Sequence, residues 1–264
     1  MNRPKIKSTL LKALREAGKI LKRSLNERRV IAKKSELSLV TVTDRKSEET
    51  ILKMIRHEFP DHGIVAEESL PKAKTSSPSR WLVDPLDGTT NFAHTFPVAC
   101  VSIGYEENGV VEIGGVLDPF RNELFFAECG KGATLNGKKI SVSKTAILSE
   151  SLLATGFPYD RKERIESHLA PFKAFMMKTQ CIRRMGAAAI DLCYVACGRY
   201  DGFWELLLNP WDTAAGTLIV QEAGGTISNY GGGPFKLEEA QTLASNGLIH
   251  PEMLDVLKPY REMR

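Results

Sequence analysis

The sequence predicts a mixed α and β protein, with an N-terminal α+β half over residues 1–147 and a C-terminal α/β half over 148–264, folded as one compact unit. Three patterns predict it. Leu10, Leu14, Ala17, Leu21 and Leu25 recur at steps of three and four, the period of an amphipathic helix. Between Val98 and Val142 apolar and polar residues alternate, and Asn108-Gly109, Asp118-Pro119 and Asn136-Gly137 cut the stretch into an antiparallel meander. After about Ser149, strand-like and helix-like segments take turns.

In chain order, the leucine period predicts a first helix from about Ser8 to Val30 and a loop from Lys33 to Ser38. A second helix starts near Thr43-Asp44, whose side chains can cap it. It carries Ile51, Ile55 and Phe59 on one face and stops before Pro60. Ile64 to Ala66 reads as a short strand running into Glu67-Glu68. The stretch Lys72 to Arg80 reads as a surface loop, and Trp81 to Val83 as a strand that delivers the chain to Asp84. Past the meander, strands are expected at Ser151–Thr155, Gln180–Arg183 and Tyr200–Glu205. Helices are expected at Glu163–Lys178, Ala187–Cys197 and Trp211–Ala223, the last two closed by Gly198 and Gly224-Gly225.

Composition narrows the function classes. With 264 residues, 42% hydrophobic and 26% charged, the chain has ample material for a buried core. No run of 18 apolar residues suggests a membrane span, and the basic N-terminus lacks the apolar run of a signal peptide. The five cysteines are scattered, with no CxxC, so a disulfide framework is not expected and the reducing cytoplasm is the expected location. Cys193 and Cys197 stand four apart on an expected helix, where they read as small buried residues rather than as metal ligands. The net charge of +4 is uneven, because residues 1–34 carry twelve Lys and Arg against only Glu16 and Glu27. Such a segment can meet nucleic acid or an acidic partner, but a solvated helix face is the simpler reading.

The chemistry concentrates in Trp81-Leu82-Val83-Asp84-Pro85-Leu86-Asp87-Gly88-Thr89-Thr90-Asn91-Phe92. A strand ends in one carboxylate and a second follows three residues later. Gly88 lets the backbone pass close to a ligand, and Thr89-Thr90 can open a short helix whose free N–H groups favour a phosphate. Carboxylates facing a phosphate repel it unless cations lie between them, and oxygen-only ligands point to Mg²⁺ rather than zinc. Glu67-Glu68 at a strand end and Asp212 at a helix start fit the same arrangement. Clustered acids of this kind would titrate far from their ordinary values if left bare, and a pair of divalent ions resolves the conflict. His94 reads as a packed or hydrogen-bonded histidine, and Trp81, Trp204 and Trp211 as core residues beside the motifs.

Asp84-Pro-Leu-Asp-Gly-Thr-Thr-Asn-Phe92 and Trp211-Asp-Thr-Ala-Ala-Gly216 resemble the two signatures of the inositol monophosphatase family. Ala66-Glu-Glu-Ser69, Val40-Thr-Val-Thr-Asp44, Ile182–Asp191, Cys193–Gly198 and Asp201–Glu205 resemble its remaining elements, in the family's order from the first helix to the C-terminus. The resemblance implies a five-layer αβαβα sandwich, a homodimer and two or three Mg²⁺. It also implies hydrolysis of a small polyol or sugar phosphate, inositol-1-phosphate first, by metal-activated water. By the same resemblance Glu67, Asp84 and the Leu86 carbonyl bind one ion, and Asp84, Asp87 and Asp212 a second. Glu67 helps hold a third. Thr89, paired with Asp44, orients or deprotonates the water, and Glu67 shares in catalysis through its ion and water. Gly88 and Thr89 hold the phosphate, Asp87 and Glu205 meet the substrate, and Arg183 lies at the substrate mouth or a dimer contact. Lys33 and Lys34 both match the family's mobile-loop lysine.

Rival readings divide on particular residues. A haloacid dehalogenase-like phosphatase needs a nucleophilic Asp two residues before Asp87, where this chain has Pro85. Relatives with the same metal cage hydrolyse fructose-1,6-bisphosphate or nucleotide 2′- and 3′-phosphates, and the short substrate half favours a small polyol phosphate. Some bacterial members also join RNA-polymerase antitermination complexes, for which the basic first helix offers a surface.

Overall fold

Asn2 caps the first helix, α1 (Arg3–Ser24), its side chain accepting the Lys5 N–H at 3.2 Å, and Pro4 occupies the first turn, where a missing N–H costs nothing. The computed structural model describes residues 2–25, 31–33, 39–69, 77–158 and 161–263. The helix starts at Arg3 rather than Ser8 because Asn2 and Pro4 supply a start signal that the leucine spacing does not contain. The expected continuation to Val30, Lys34 to Ser38 of the expected loop and most of the Lys72–Arg80 loop lie outside the described residues. Lys33 ends a short strand, β1 (Ile31–Lys33), which pairs antiparallel with β2 (Leu39–Thr41). The next helix, α2 (Val42–Glu58), begins on a capping box in which Thr41 and Asp44 satisfy each other's backbone N–H.

A seven-stranded sheet follows, in the order β3 (Gly63–Ala66), β4 (Ser79–Asp87), β5 (Cys100–Glu107), β6 (Val110–Asp118), β7 (Glu123–Glu128), β8 (Ala133–Leu135) and β9 (Lys138–Lys139). Only β3 and β4 are parallel; the rest is the expected meander. Asn108-Gly109 and Asn136-Gly137 make its tight turns with all four residues at positive φ. The short helix α3 (Thr89–Ala93) leaves the end of β4.

The second sheet has the order β11 (Cys181–Arg183), β10 (Leu152–Thr155), β12 (Gly202–Leu206), β14 (Gln241–Ser245) and β13 (Thr226–Ser228). β10 runs parallel to both neighbours, whereas β14 is antiparallel to β12 and β13. Helices α4 (Arg161–Met176), α5 (Ala188–Ala196), α6 (Pro210–Glu222) and α7 (His250–Leu257) complete the described elements. β13, β14 and α7 have no counterpart in the sequence expectations, because β13 is three residues long and β14 enters the sheet out of chain order.

Side-chain alternation stacks these elements into five layers. Val101, Ile103 and Tyr105 of β5 pack with Leu10, Leu14, Ile51 and Ile55 of α1 and α2. The opposite face of the same sheet, with Cys100, Val116 and Phe125, packs with Leu192, Ile219 and Val220 of α5 and α6. Those two helices also cover Phe203 and Ala244 of the second sheet. Its outer face packs Leu153, Trp204 and Leu243 against Phe175 of α4 and Met253 of α7. The order is therefore α1/α2, sheet, α5/α6, sheet, α4/α7, the expected αβαβα sandwich. Trp81, Trp204 and Trp211 are all buried, as is Cys193.

The middle layer lies unusually close to the first sheet. A Cβ at Gly104 would stand 2.8 Å from the Ala214 Cβ, and one at Gly114 would stand 2.9 Å from the Ala215 Cα. Two glycines on neighbouring strands thus let α6 rest directly on the sheet, which fixes the height at which its first turn meets the end of β4. Gly114→Ala must push backbone from backbone and should cost about 1–3 kcal/mol by overpacking. A thermal or urea melt reads the loss, and unchanged stability would show that α6 can lift off freely.

Candidate active site

Asp84 and Asp87 are three residues apart, a spacing that would put them on opposite faces of a regular strand. β4 avoids this with a bulge. Asp84 pairs with Ser102 and Asp87 with Cys100, so three steps along β4 match two along β5. Both carboxylates then face the α5/α6 side, and Pro85, which has no N–H to give the ladder, sits inside the irregularity. Gly88 ends the strand at φ 90°, ψ 34°, and a Cβ there would meet the Val98 carbonyl at 2.7 Å. Both constraints demand glycine.

One oxygen of each aspartate is fixed by backbone. Asp84 Oδ1 accepts the Leu86 N–H at 2.9 Å, and Asp87 Oδ2 accepts the Ala189 N–H at 2.8 Å. Asp212 Oδ2 accepts the Asn209 N–H at 2.7 Å, closing the capping box that starts α6. Glu67 stands one residue past β3, its N–H donating to the Val83 carbonyl at 3.2 Å. Behind Thr89, Asp44 is fully buried, and the Thr89 hydroxyl lies 2.9 Å from Asp44 Oδ1 and 3.0 Å from the Leu86 carbonyl. With one hydroxyl hydrogen and two acceptors, the charged carboxylate is the stronger claimant.

Glu67, Asp84, Leu86, Asp87, Gly88, Thr89, Glu205 and Asp212 all line one cavity of about 270 Å³. Arg183 does not. Its guanidinium lies 2.7 Å from Cys181 Sγ on the exposed sheet edge, while Arg184, the next residue, lines the cavity. His94 is exposed at the end of α3 rather than packed. Asp191, inside the expected Ala187–Cys197 helix, is also a cavity residue. It is 1% exposed and its Oδ1 has no hydrogen-bond partner. The signal available was an acid in the otherwise apolar run Ala188-Ala189-Ile190-Asp191-Leu192-Cys193. Gly156 serves the site by absence, since a Cβ there would fall 2.2 Å from both Glu205 carboxylate oxygens.

The acids perturb one another. Burial, then the charges of Glu67, Asp87 and Asp212, hold Asp84 well above the ordinary carboxylate range. Burial lifts Asp87 to about 6, against the Ala189 N–H that pulls it down. Asp212 rises to about 8, chiefly by burial, with the Asn209 N–H opposing and Asp87 and Glu67 adding to the rise. Glu205 is also pushed up to about 8 by burial, with Arg184 pulling the other way. Burial and the Glu205 charge keep Asp191 well above its ordinary value.

This donor set fits a hard divalent cation: oxygen ligands only, oriented in advance by backbone N–H groups, with too much negative charge for the space. No three acidic, His or Cys side chains among the described residues are already gathered round a common metal position. The acids share one cavity.

The sequence profile of the inositol monophosphatase family matches residues 3–262. An inositol-1-monophosphatase of Synechocystis sp. is 51% identical over 219 residues, 83% of this chain and 76% of that protein. The Nus factor SuhB of Pseudomonas aeruginosa is 41% identical over 256 residues, 95% of this chain and 94% of its own. Among solved structures, the inositol monophosphatase of Anabaena (Nostoc) sp. PCC 7120 superposes with a TM-score of 0.89 at 42% identity, covering 98% of this chain and 97% of that one.

The raised acids make a signed prediction. A carboxyl whose folded pKa is raised stabilises the fold relative to its ionised form below its unfolded pKa near 4, and that contribution is lost as the pH rises to the folded value. In EDTA, Asp212→Asn should therefore melt above the parent at pH 8, with the gap narrowing as the pH falls from about 8 toward 4. Excess Mg²⁺ should narrow the gap, since a ligand at a hundred times its Kd adds about 2.7 kcal/mol and the variant lacks a carboxylate for one of the ions. A variant that melts at or below the parent at pH 8 in EDTA would contradict the repulsion.

Proposed function

The chain belongs to the inositol monophosphatase family, and from that premise we propose that it hydrolyses inositol-1-phosphate to inositol and phosphate in the β4–α6 cavity. The observation that carries the reading is the acid-lined cavity in which Asp84, Asp87 and Asp212 are each held by a backbone N–H beside the Thr89–Asp44 pair. Glu67, Asp84 and the Leu86 carbonyl would hold one Mg²⁺, Asp84, Asp87 and Asp212 a second, and Glu67 would help hold a third. Bound there, the ions would offset the charge that the carboxylates and phosphate bring together and lower the pKa of water in the cavity.

The chain's own groups then divide the work. The Thr89 hydroxyl, donating its hydrogen bond to Asp44, leaves the Leu86 carbonyl free and its own lone pairs open to a hydrogen bond from the attacking water; as the water's proton passes to Thr89 Oγ1, the Thr89 hydroxyl proton would pass to the Asp44 carboxylate. The N–H groups of Gly88 and Thr89, at the start of α3, would hold the phosphate. On the alcohol side, Glu205 and Asp191 present carboxyls to the hydroxyls of the leaving polyol and Arg184 supplies a cation. A cavity of about 270 Å³ suits a small polyol phosphate better than a nucleotide.

The reading includes a cytoplasmic homodimer. All five cysteines are free, and no helix among the described residues is long and apolar enough to cross a membrane. Ile165 and Leu169 of α4, with Met176 and Met177 at its end, are exposed apolar residues, and the sheet-edge strand β11 follows directly. A second copy there would cover them. Sedimentation should give a dimer that Met177→Glu weakens; a monomer at micromolar concentration would refute it.

The Pseudomonas aeruginosa relative's name supports a second reading, a transcription-complex role for the basic first helix. Four of the eight Lys and Arg of α1 are already paired within the fold. Arg3 pairs with Glu112, Lys5 with Glu58, Lys7 with Glu128 and Lys19 with Glu16. That favours the enzyme.

Phosphate release from inositol-1-phosphate, fructose-1,6-bisphosphate, NADP and 3′-phosphoadenosine-5′-phosphate, with Mg²⁺ and with excess EDTA, tests the proposal. The expected result is EDTA-sensitive turnover with the highest kcat/KM on inositol-1-phosphate, cut more than about 100-fold in Asp84→Asn. Preference for the bisphosphate or a nucleotide would replace the substrate, and full activity in Asp84→Asn would sink the mechanism. No turnover by the folded protein, with salt-sensitive RNA binding that survives Asp84→Asn, would favour the second reading.

A further inference from the structure

Three residues of α2 point the same way. Asp44, Ser47 and Glu48 stand at i, i+3 and i+4 on one helix face, and all three are buried at 3% exposure or less. Each holds a different segment of the candidate site. Asp44 takes Thr89 as described, and the Ser47 hydroxyl donates to the Pro85 carbonyl at 2.8 Å, inside the β4 bulge. Glu48 takes the turn after β3: its Oε2 accepts the Glu68 N–H at 2.8 Å, and its Oε1 accepts the Ser69 hydroxyl.

A buried carboxylate is costly unless hydrogen bonds compensate it. Here both oxygens of Glu48 are taken by consecutive residues of one turn, the turn that begins with Glu67. On its other side the Glu67 N–H is tied to β4 through the Val83 carbonyl. The turn is therefore pinned between α2 and β4, and the direction of the Glu67 side chain follows from where its backbone is pinned.

We propose that Glu48 is a positioning residue, which fixes the Glu67–Ser69 turn so that Glu67 faces Asp84 across the cation site. α2 then acts as a single bracket that registers three separated segments against one another over little more than one helical turn. The inference rests on the cation-site reading above. It adds a residue that touches neither substrate nor ion and acts through Glu67 alone, as outer partners of metal ligands do.

The test is a double-mutant cycle read by Mn²⁺ binding, followed by electron paramagnetic resonance with Mg²⁺ competition. Glu48→Ala should weaken the tightest binding by roughly 10–100-fold in the parent and produce no further loss in Glu67→Gln. Glu48→Gln, which keeps one accepting oxygen, should fall between parent and Ala. A loss that adds in full to that of Glu67→Gln overturns the proposal, as does parent-like affinity in folded Glu48→Ala. If Glu48→Ala does not fold, the Gln variant completes the same cycle with a smaller expected loss and the same overturning outcomes. A parent protein that binds no Mn²⁺ at all would instead remove the cation-site reading, and this inference with it.

Discussion

The repulsion among Glu67, Asp84, Asp87 and Asp212 is the constraint around which the rest of the structure is arranged. Burial raises the cost of charge on Asp84, Asp87 and Asp212 and proximity raises it again, so that Asp87 is lifted to about 6 and Asp212 to about 8. A fold does not gain stability by gathering such groups. The surroundings of the acids are built to hold them despite that cost: backbone N–H groups from Leu86, Ala189 and Asn209 each take one aspartate oxygen. Every other positioning feature can be understood as keeping these groups from moving apart.

Three devices do so from three directions. The bulge at Pro85 turns Asp84 and Asp87 to one face of β4. The small residues at 104 and 114 let α6 lie against the sheet, bringing Asp212 to the same height. From the opposite face of the sheet, α2 holds Thr89, Pro85 and the 68–69 turn by the side chains of Asp44, Ser47 and Glu48. The acids that line the cavity come from both halves of the sequence, so the candidate site exists only once both sheets and the helices between them have packed. That arrangement also explains why the parts of α5 and α6 that meet both sheets are mostly small and branched apolar residues, with Asp191 buried among them.

Local chemistry made much of this legible. The Asn-Gly turns announced the meander, and the Asp84–Phe92 string announced its own cavity, because carboxylate, glycine and threonine in that order have few other uses. What could not be read was parity and adjacency. Nothing in the spacing of Asp84 and Asp87 says that they share a face, and only the bulge makes it so. The Arg183-Arg184 doublet is ambiguous until β11 ends at Arg183, leaving Arg184 to turn into the cavity. Asp191 stands outside the helical apolar pattern that accounts for its neighbours, and only the fold shows which cavity it meets. β14 slots between β12 and β13 by long-range pairing, for which no local pattern exists.

Crystals grown with excess Mn²⁺ and phosphate, with data collected at the manganese edge, test the central claim most directly. The account predicts two or three anomalous peaks bounded by Glu67, Asp84, Asp87 and Asp212, with phosphate oxygens between them and the N–H groups of Gly88 and Thr89. Peaks elsewhere on the molecule, or phosphate seated in the cavity at saturating Mn²⁺ with no ion beside it, would contradict it.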